Sequence, residues 1–390
     1  MNNVRIGIAG YGNMGSAHAA CIASGKIEGL QLTAVCDIDE VKRKKCAADY
    51  PGISLYDDFE VMLREAAIDA VIVAVPHPKH ALLGIKALRA GKHLLTEKPE
   101  DISVSAARKL NAAAKESGKV FAIMFNQRTH PLFRKAREIV QSGELGELKR
   151  SVWIITNWYR TQFYYDSGAW RATWSGEGGG VLLNQAPHNL DLWQWICGMP
   201  VSVTGFCDVA KYHKIEVEDD ATLYVRYANG ATGVFITTTG EYPGTNRLEI
   251  AGDRGKLVLE NGLLKWWKLN QSEREYCFNA NTGSANIDME YNEIPQTEPE
   301  TAHAGILQNF TNAILHGEAL ISPGEEGINE LTLSNAAYLS EWKGNVAIDL
   351  PFDETAFDDL LSARAANSRV HAGEAENAGG KYNARWQVNW

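Results

Sequence analysis

Five short apolar runs alternate with helical segments over about the first 130 residues, and this rhythm constrains the fold more than any other feature. The runs are VRIGIAG (4–10), LQLTAVCD (30–37), AVIVAVP (70–76), KHLLTEKP (92–99) and VFAIMFN (120–126). Their near-continuous apolarity and β-branched content suit strands of a parallel sheet buried on both faces. The segments between them read as helices, and Gly91 and Gly118 stand where such helices would stop. Strand and helix in alternation predict a doubly wound α/β domain over residues 1–128.

The pattern changes after residue 128. From KRSVWIITNW (149–158) the apolar segments lengthen and alternate with polar residues, and ANG (228–230) and ENG (260–262) separate them. Asn-Gly supplies the positive φ angles of hairpin turns. Residues 129–350 are therefore expected to form an α+β domain with a large, mainly antiparallel sheet, with helices near 303–317 and 325–343. Residues 351–390 form an extension ending in YNARWQVNW, whose aromatic residues are expected to dock. An apolar sheet face left uncovered would associate with a second subunit, giving a dimer or tetramer.

Of the 390 residues, 45% are hydrophobic and 22% charged, enough to bury a sizeable core. The formal net charge of −10 argues against nucleic acid or an anionic membrane as a bulk partner. No apolar run approaches the roughly 20 residues that span a bilayer. The six cysteines show no metal-ligand spacing, so no metal is expected and buried thiols in a reducing, cytoplasmic setting are.

GIAGYGNMG places Gly10, Gly12 and Gly15 in a G-x-G-x-x-G turn, with Asn13 and Met14 inside it, after a predicted strand and at the start of a predicted helix. That context makes a dinucleotide site. Gly10 allows the turn, Gly12 lets the backbone reach a pyrophosphate, and Gly15 lets helix and strand approach. Asp37 ends the second strand, 22 residues beyond Gly15. Its carboxylate can accept from ribose hydroxyls and would repel a 2′-phosphate, which predicts NAD over NADP. In DIDEV, Asp37 or Asp39 can instead cap the next helix.

Lys98 and Pro99 close an apolar strand at the end where such sheets bind ligands. LLNQAPHNLDLWQWI has helical spacing, and a helix spanning Asn184 and His188 would put both on one face, with Pro187 in its first turn and Asp191 able to orient the histidine ring. An isolated histidine in such a helix is otherwise a core residue bonded to backbone. Tyr159, Arg160 and Tyr164 lie in an aromatic, arginine-bearing segment that either contacts ligand or packs on itself.

GIAGYGNMG, AVPHPKH (74–80), TEKP (96–99), WR (170–171) and GGGVLLNQAPHNLD (178–191) occur together in an order that resembles the Gfo/Idh/MocA oxidoreductases, the group of glucose–fructose oxidoreductase and inositol dehydrogenase. The resemblance spans residues 4 to about 345. It implies that Lys98 and His188 line the place where a sugar hydroxyl meets the nicotinamide, that Lys98–Pro99 is a cis peptide, and that Trp170 and Arg171 approach the cofactor. Pro76, His80 and Glu97 match positions on the cofactor side and Arg128 one near nucleotide and substrate, although helix capping and surface exposure also account for His80 and Arg128. Many members carry Asp where this chain has Asn184; Asn takes no proton, which weakens an Asp–His relay but not the enzyme class. The implied reaction is hydride transfer between NAD and a secondary hydroxyl of a sugar, glycoside or cyclic polyol, with ring C3 favoured. His188 would serve as base and Lys98 would polarise the oxygen. An NAD-dependent glycosidase working by transient oxidation and elimination, or a non-catalytic NAD-sensing regulator, are the alternatives.

Overall fold

The computed structural model describes residues 3–284 and 286–369. The RWQVNW tail lies outside the described residues. The chain divides into two units: Met1–Thr129 with Gly176–Gly178 and Thr301–Leu331, and His130–Ser175 with Gly179–Glu300 and Thr332–Trp390.

The first unit holds a six-stranded parallel sheet. Its strands are β1 (Val4–Ala9), β2 (Leu30–Cys36), β3 (Ser54–Tyr56), β4 (Ala70–Val73), β5 (His93–Thr96) and β6 (Phe121–Ile123), in the order β3-β2-β1-β4-β5-β6. Successive side chains of a strand face opposite ways, and both faces are buried: Ala70 and Ile72 join Val4, Ile6 and Ile8 in one core, while Val71 and Val73 join Met62 and Leu94 in the other. Sequence reading missed β3, a three-residue edge strand too short to show a period. Asp39, Asp58 and Ser103 cap helices through their side chains, and Gly118, at φ +62°, ends the helix Val104–Ser117.

The boundary expected near residue 128 is incomplete. Thr301–Leu331 belongs to the first unit because the helix Ala302–His316 places Ile306, Leu307 and Phe310 in the same core as Val4, Ile6 and Ile8. The Ile123 N–H also donates to Ser322 O (3.2 Å).

The second unit is built on nine strands: β7 (Leu148–Ile155), β8 (Ser202–Val209), β9 (Glu218–Arg226), β10 (Thr232–Thr238), β11 (Asn246–Gly252), β12 (Gly255–Glu260), β13 (Leu263–Leu269), β14 (Met289–Pro295) and β15 (Ile348–Asp349). Their order is β14-β13-β12-β11-β7-β10-β9-β8-β15. Only the β7–β10 pairing is parallel. Asn261 (φ +53°) and Gly262 (φ +70°) make the tight β12–β13 turn that Asn-Gly predicts. On the inner face Trp153 meets Phe133 (ring centroids 5.6 Å apart) and Phe235 meets Trp193 (5.5 Å). These contacts seat the helices Pro131–Gln141 and Pro187–Cys197 on the sheet.

Candidate active site

In the first unit the site begins at the glycine turn. A Cβ on Gly15 would fall 1.8 Å from Gly10 O, so helix and strand approach only as glycines, whereas a Cβ on Gly12 would meet nothing within 4 Å. The backbone is thus tight beneath the turn and open above it. The helix Asn13–Ala23 starts there with no side-chain cap, the arrangement that suits a pyrophosphate. Asn13 is exposed and Met14 half-buried in its first turn.

Asp39, not Asp37, caps the following helix, accepting from Val41 N (2.8 Å). Asp37 accepts from Tyr11 N (2.7 Å) and Asp39 N (2.9 Å), which fixes its carboxylate at the end of β2. Arg43, a cation that could greet a 2′-phosphate, donates to Asp37 O (2.7 Å) instead. The residues present fit NAD: an open glycine turn, an uncapped helix start and an oriented carboxylate for ribose hydroxyls.

Lys98 leaves the same sheet edge. Ala9 pairs with Val73 and Val73 with Thr96, so Gly10 and Lys98 emerge two strands apart, about 10 Å at ordinary strand spacing. Lys98 is half-buried, and the Lys98–Pro99 peptide is cis. Glu97, 6% exposed, turns to His18 on the glycine-turn helix (Oε1 to Nε2, 2.7 Å). Burial alone would raise the Glu97 carboxyl, but the His18 bond and the charges of His18, His303 and Lys98 hold it down at about 2. Burial, with His18 beside it, lowers His303 to about 4.

Three of the expected contact residues also have partners within the protein. Glu97 is engaged by His18. His80 is 1% exposed, and its ring nitrogens lie 2.7 Å from Pro99 O and 2.7 Å from Val75 O. The two contacts place the ring between the strand-end carbonyls and brace the turn that carries Lys98. Arg128 is fully buried, ion-paired with Glu326 and stacked on Phe125. Its charge is met within the protein by Glu326. Pro76 is exposed at the start of the turn after β4.

In the second unit Asn184 and His188 do not share one helix. Val181–Asn184 forms a single turn, and Pro187 begins the helix Pro187–Cys197. A proline lacks the N–H that would continue the first helix, so the chain restarts there. His188 is 8% exposed in that second helix's first turn, and Asp191 accepts from Gln194 Nε2 (3.1 Å). The Tyr164 hydroxyl is a hub: Arg171 Nη1 (2.8 Å), Asn184 Nδ2 (3.1 Å) and Gln185 Nε2 (3.2 Å) all reach it. Arg160 and Arg171 both lie against the Tyr164 ring, 5.1 and 4.6 Å from its centroid, and Arg171 also against Trp170 (4.6 Å). Tyr159 is 45% exposed and touches Tyr242.

Sequence reading missed the supports of this cluster. Buried Glu218 accepts from Gly180 N (2.9 Å), Leu182 N (2.9 Å) and the Tyr338 hydroxyl (2.7 Å), holding the turn that ends in Asn184. Burial pushes its carboxyl up to about 7 although these three donors pull it down. Asp219, also buried, clips the loop at 211–213. Three consecutive acids in a strand, VEDDA (217–221), were the available signal, since alternation must turn at least one of them inward. Among the described residues no group of three or more His, Cys, Asp or Glu could hold a metal ion, and no helix is long and apolar enough to cross a membrane.

Residues 4–125 match the profile described as the oxidoreductase family, NAD-binding Rossmann fold, and residues 133–258 match the GFO/IDH/MocA C-terminal domain. The chain is 26% identical to inositol 2-dehydrogenase of Rhizobium meliloti over 343 residues, covering 86% of this chain and 96% of that one. It is 30% identical to the uncharacterized oxidoreductase YdgJ of Escherichia coli over 206 residues, 52% of this chain and 56% of that one. The chain thus spans little more than half the length of this second relative. Among solved structures, the WlbA dehydrogenase from Bordetella pertussis, in complex with NADH and UDP-GlcNAcA, is similar at a TM-score of 0.75 and 25% identity, over 90% of this chain and 100% of that one.

Proposed function

Because the chain belongs to the Gfo/Idh/MocA oxidoreductase family and carries its NAD-binding Rossmann fold, we propose that it is an NAD-dependent dehydrogenase of a secondary ring hydroxyl on a sugar, glycoside or cyclic polyol, with ring C3 as the carbon oxidised. The observation that carries the reading is Lys98. It stands on the ligand-binding edge of the first sheet, two strands from an open glycine turn, on a loop braced by His80 and by the Glu97–His18 bond. The dehydrogenases among the relatives and solved neighbours support the substrate class.

Bound at the glycine turn, NAD would supply the hydride acceptor. In the oxidising direction His188 takes the hydroxyl proton, Lys98 donates a hydrogen bond to the oxygen as it becomes a carbonyl, and Asn184 holds a neighbouring hydroxyl. Alcohol and NAD give ketone, NADH and one proton.

The test is a carbohydrate and polyol panel read at the NADH absorbance. Stoichiometric NADH from a sugar or polyol is expected. Lys98→Ala and His188→Ala should each lower turnover at least about 100-fold while NAD still binds. Full activity in both variants would overturn the assignment.

We further propose self-association through the outer face of the nine-stranded sheet. There Val152, Ile154, Tyr224, Val234, Ile236 and Trp267 are only half-buried, and Arg247, Glu249, Lys256 and Glu260 form ion pairs among themselves. A face with both apolar surface and balanced charge can pair with its own copy.

A further inference from the structure

We propose that the substrate carries an anionic group, a carboxylate or a phosphate monoester, and that Arg160 is the specificity-determining residue that binds it. The inference rests on the dehydrogenase reading and deepens it to an acidic sugar.

Arg160 is held with unusual thoroughness for a residue of an irregular segment. Its backbone N–H donates to Thr239 O (2.9 Å), and its carbonyl accepts from His213 Nε2 (2.8 Å). His213 is set in turn by Asp219, a fully buried carboxylate that meets His213 Nδ1 (2.8 Å) and takes the backbone N–H groups of Lys211, Tyr212 and His213 (2.9 Å each). Asp219 thus spends its whole hydrogen-bonding capacity on the loop that fixes Arg160. A buried carboxylate bound this way is a rigid support rather than a spare charge.

The guanidinium itself is half-buried and has no counter-charge. It lies against the rings of Tyr164 (5.1 Å) and Trp158 (5.7 Å), and Nη1 donates to Tyr159 O (2.9 Å). Its Nε is buried and meets no acceptor among the described residues, and no described carboxylate pairs with it. Arg5, Arg128, Arg150 and Arg247 hold a carboxylate; Arg137 and Arg364 stack on rings and donate to a carbonyl as Arg160 does, but among the described arginines it is Arg160 whose buried nitrogen is left without an acceptor. A cation drawn partly out of water without an anion is costly. Its stacked, pre-oriented fork is the geometry that binds carboxylate or phosphate.

The surroundings decide between an anion and another hydroxyl. Arg160 touches the Tyr164 ring, and the Tyr164 oxygen already receives Arg171, Asn184 and Gln185. The cluster is rich in donors and carries two positive charges. A neutral hydroxyl must itself donate as well as accept, whereas an anion only accepts.

The test uses the full chain loaded with NAD. Calorimetric titration compares methyl β-D-glucoside with methyl β-D-glucuronide, and glucose with glucose 6-phosphate, in the wild type, Arg160→Gln and Arg160→Lys. NADH formation is followed with the same sugars. The wild type should prefer a charged member at least about 10-fold, and which one it prefers separates carboxylate from phosphate. Arg160→Gln should lower the charged-to-neutral affinity ratio by about 10- to 100-fold, as a KM effect rather than a kcat effect, and Arg160→Lys should restore part of it. No charged preference in the wild type, or a ratio unchanged in Arg160→Gln, overturns the inference. Charged-sugar binding that depends on Arg160 but yields no NADH would instead defeat the dehydrogenase reading and leave this one standing.

Discussion

Replacing His18 with alanine tests the bracing beneath Lys98. His18 is 1% exposed and Glu97 6%, and their 2.7 Å bond ties the glycine-turn helix to the loop that carries Lys98. Burial raises the Glu97 carboxyl, but its hydrogen bond to His18 and the nearby charges bring it from 4.5 to about 2. At about 1.4 kcal/mol per pH unit that fall corresponds to about 3 kcal/mol. The sign follows from linkage: a carboxyl depressed in the folded state stabilises it above pH 4.5, and the contribution fades as pH falls from 4.5 towards 2. His18→Ala leaves a buried carboxylate without its partner, so the variant should lose about 3 kcal/mol near pH 7. The loss should shrink near pH 4, where the stranded carboxyl takes up a proton. Urea unfolding at both pH values measures it. In a Glu97→Gln background the same His18→Ala change should cost only about 1 kcal/mol. A penalty below about 1 kcal/mol near pH 7, or equal penalties in the two backgrounds, would refute the coupling.

Tyr338→Phe removes the hydroxyl that holds Glu218 down near 7. A raised carboxyl makes the folded state lose stability as pH climbs from 4.5 through 7, and the variant should extend that loss to higher pH. Its melting temperature should trail the wild type by the equivalent of about 1 kcal/mol at pH 5 and about 2 kcal/mol at pH 9; a penalty independent of pH contradicts the pairing. Ile236, opposite Thr222 and Ile154 on the outer sheet face, should on change to glutamate convert an oligomer to a monomer in light scattering, and a wild type that is already monomeric removes the proposal.

The α/β class, the glycine turn, the hairpin at Asn261–Gly262 and the helix stop at Gly118 were all legible in the sequence, because each is decided within a few residues: by period, by φ, or by a cap. The candidate residues were nameable for the same reason, as short motifs. Their roles were not. Glu97, His80 and Arg128 were nameable as candidates, but their partners within the protein were not: His18 lies 79 positions from Glu97, Pro99 19 from His80, and Glu326 198 from Arg128. Glu218 and Tyr338 stand 120 apart. A sequence shows which polar groups a chain holds; which of them will be buried, and what must then satisfy them, is decided only when folding brings distant segments together. Desolvation makes each such bond obligatory and marks out Arg160, whose buried Nε finds no acceptor among the described residues.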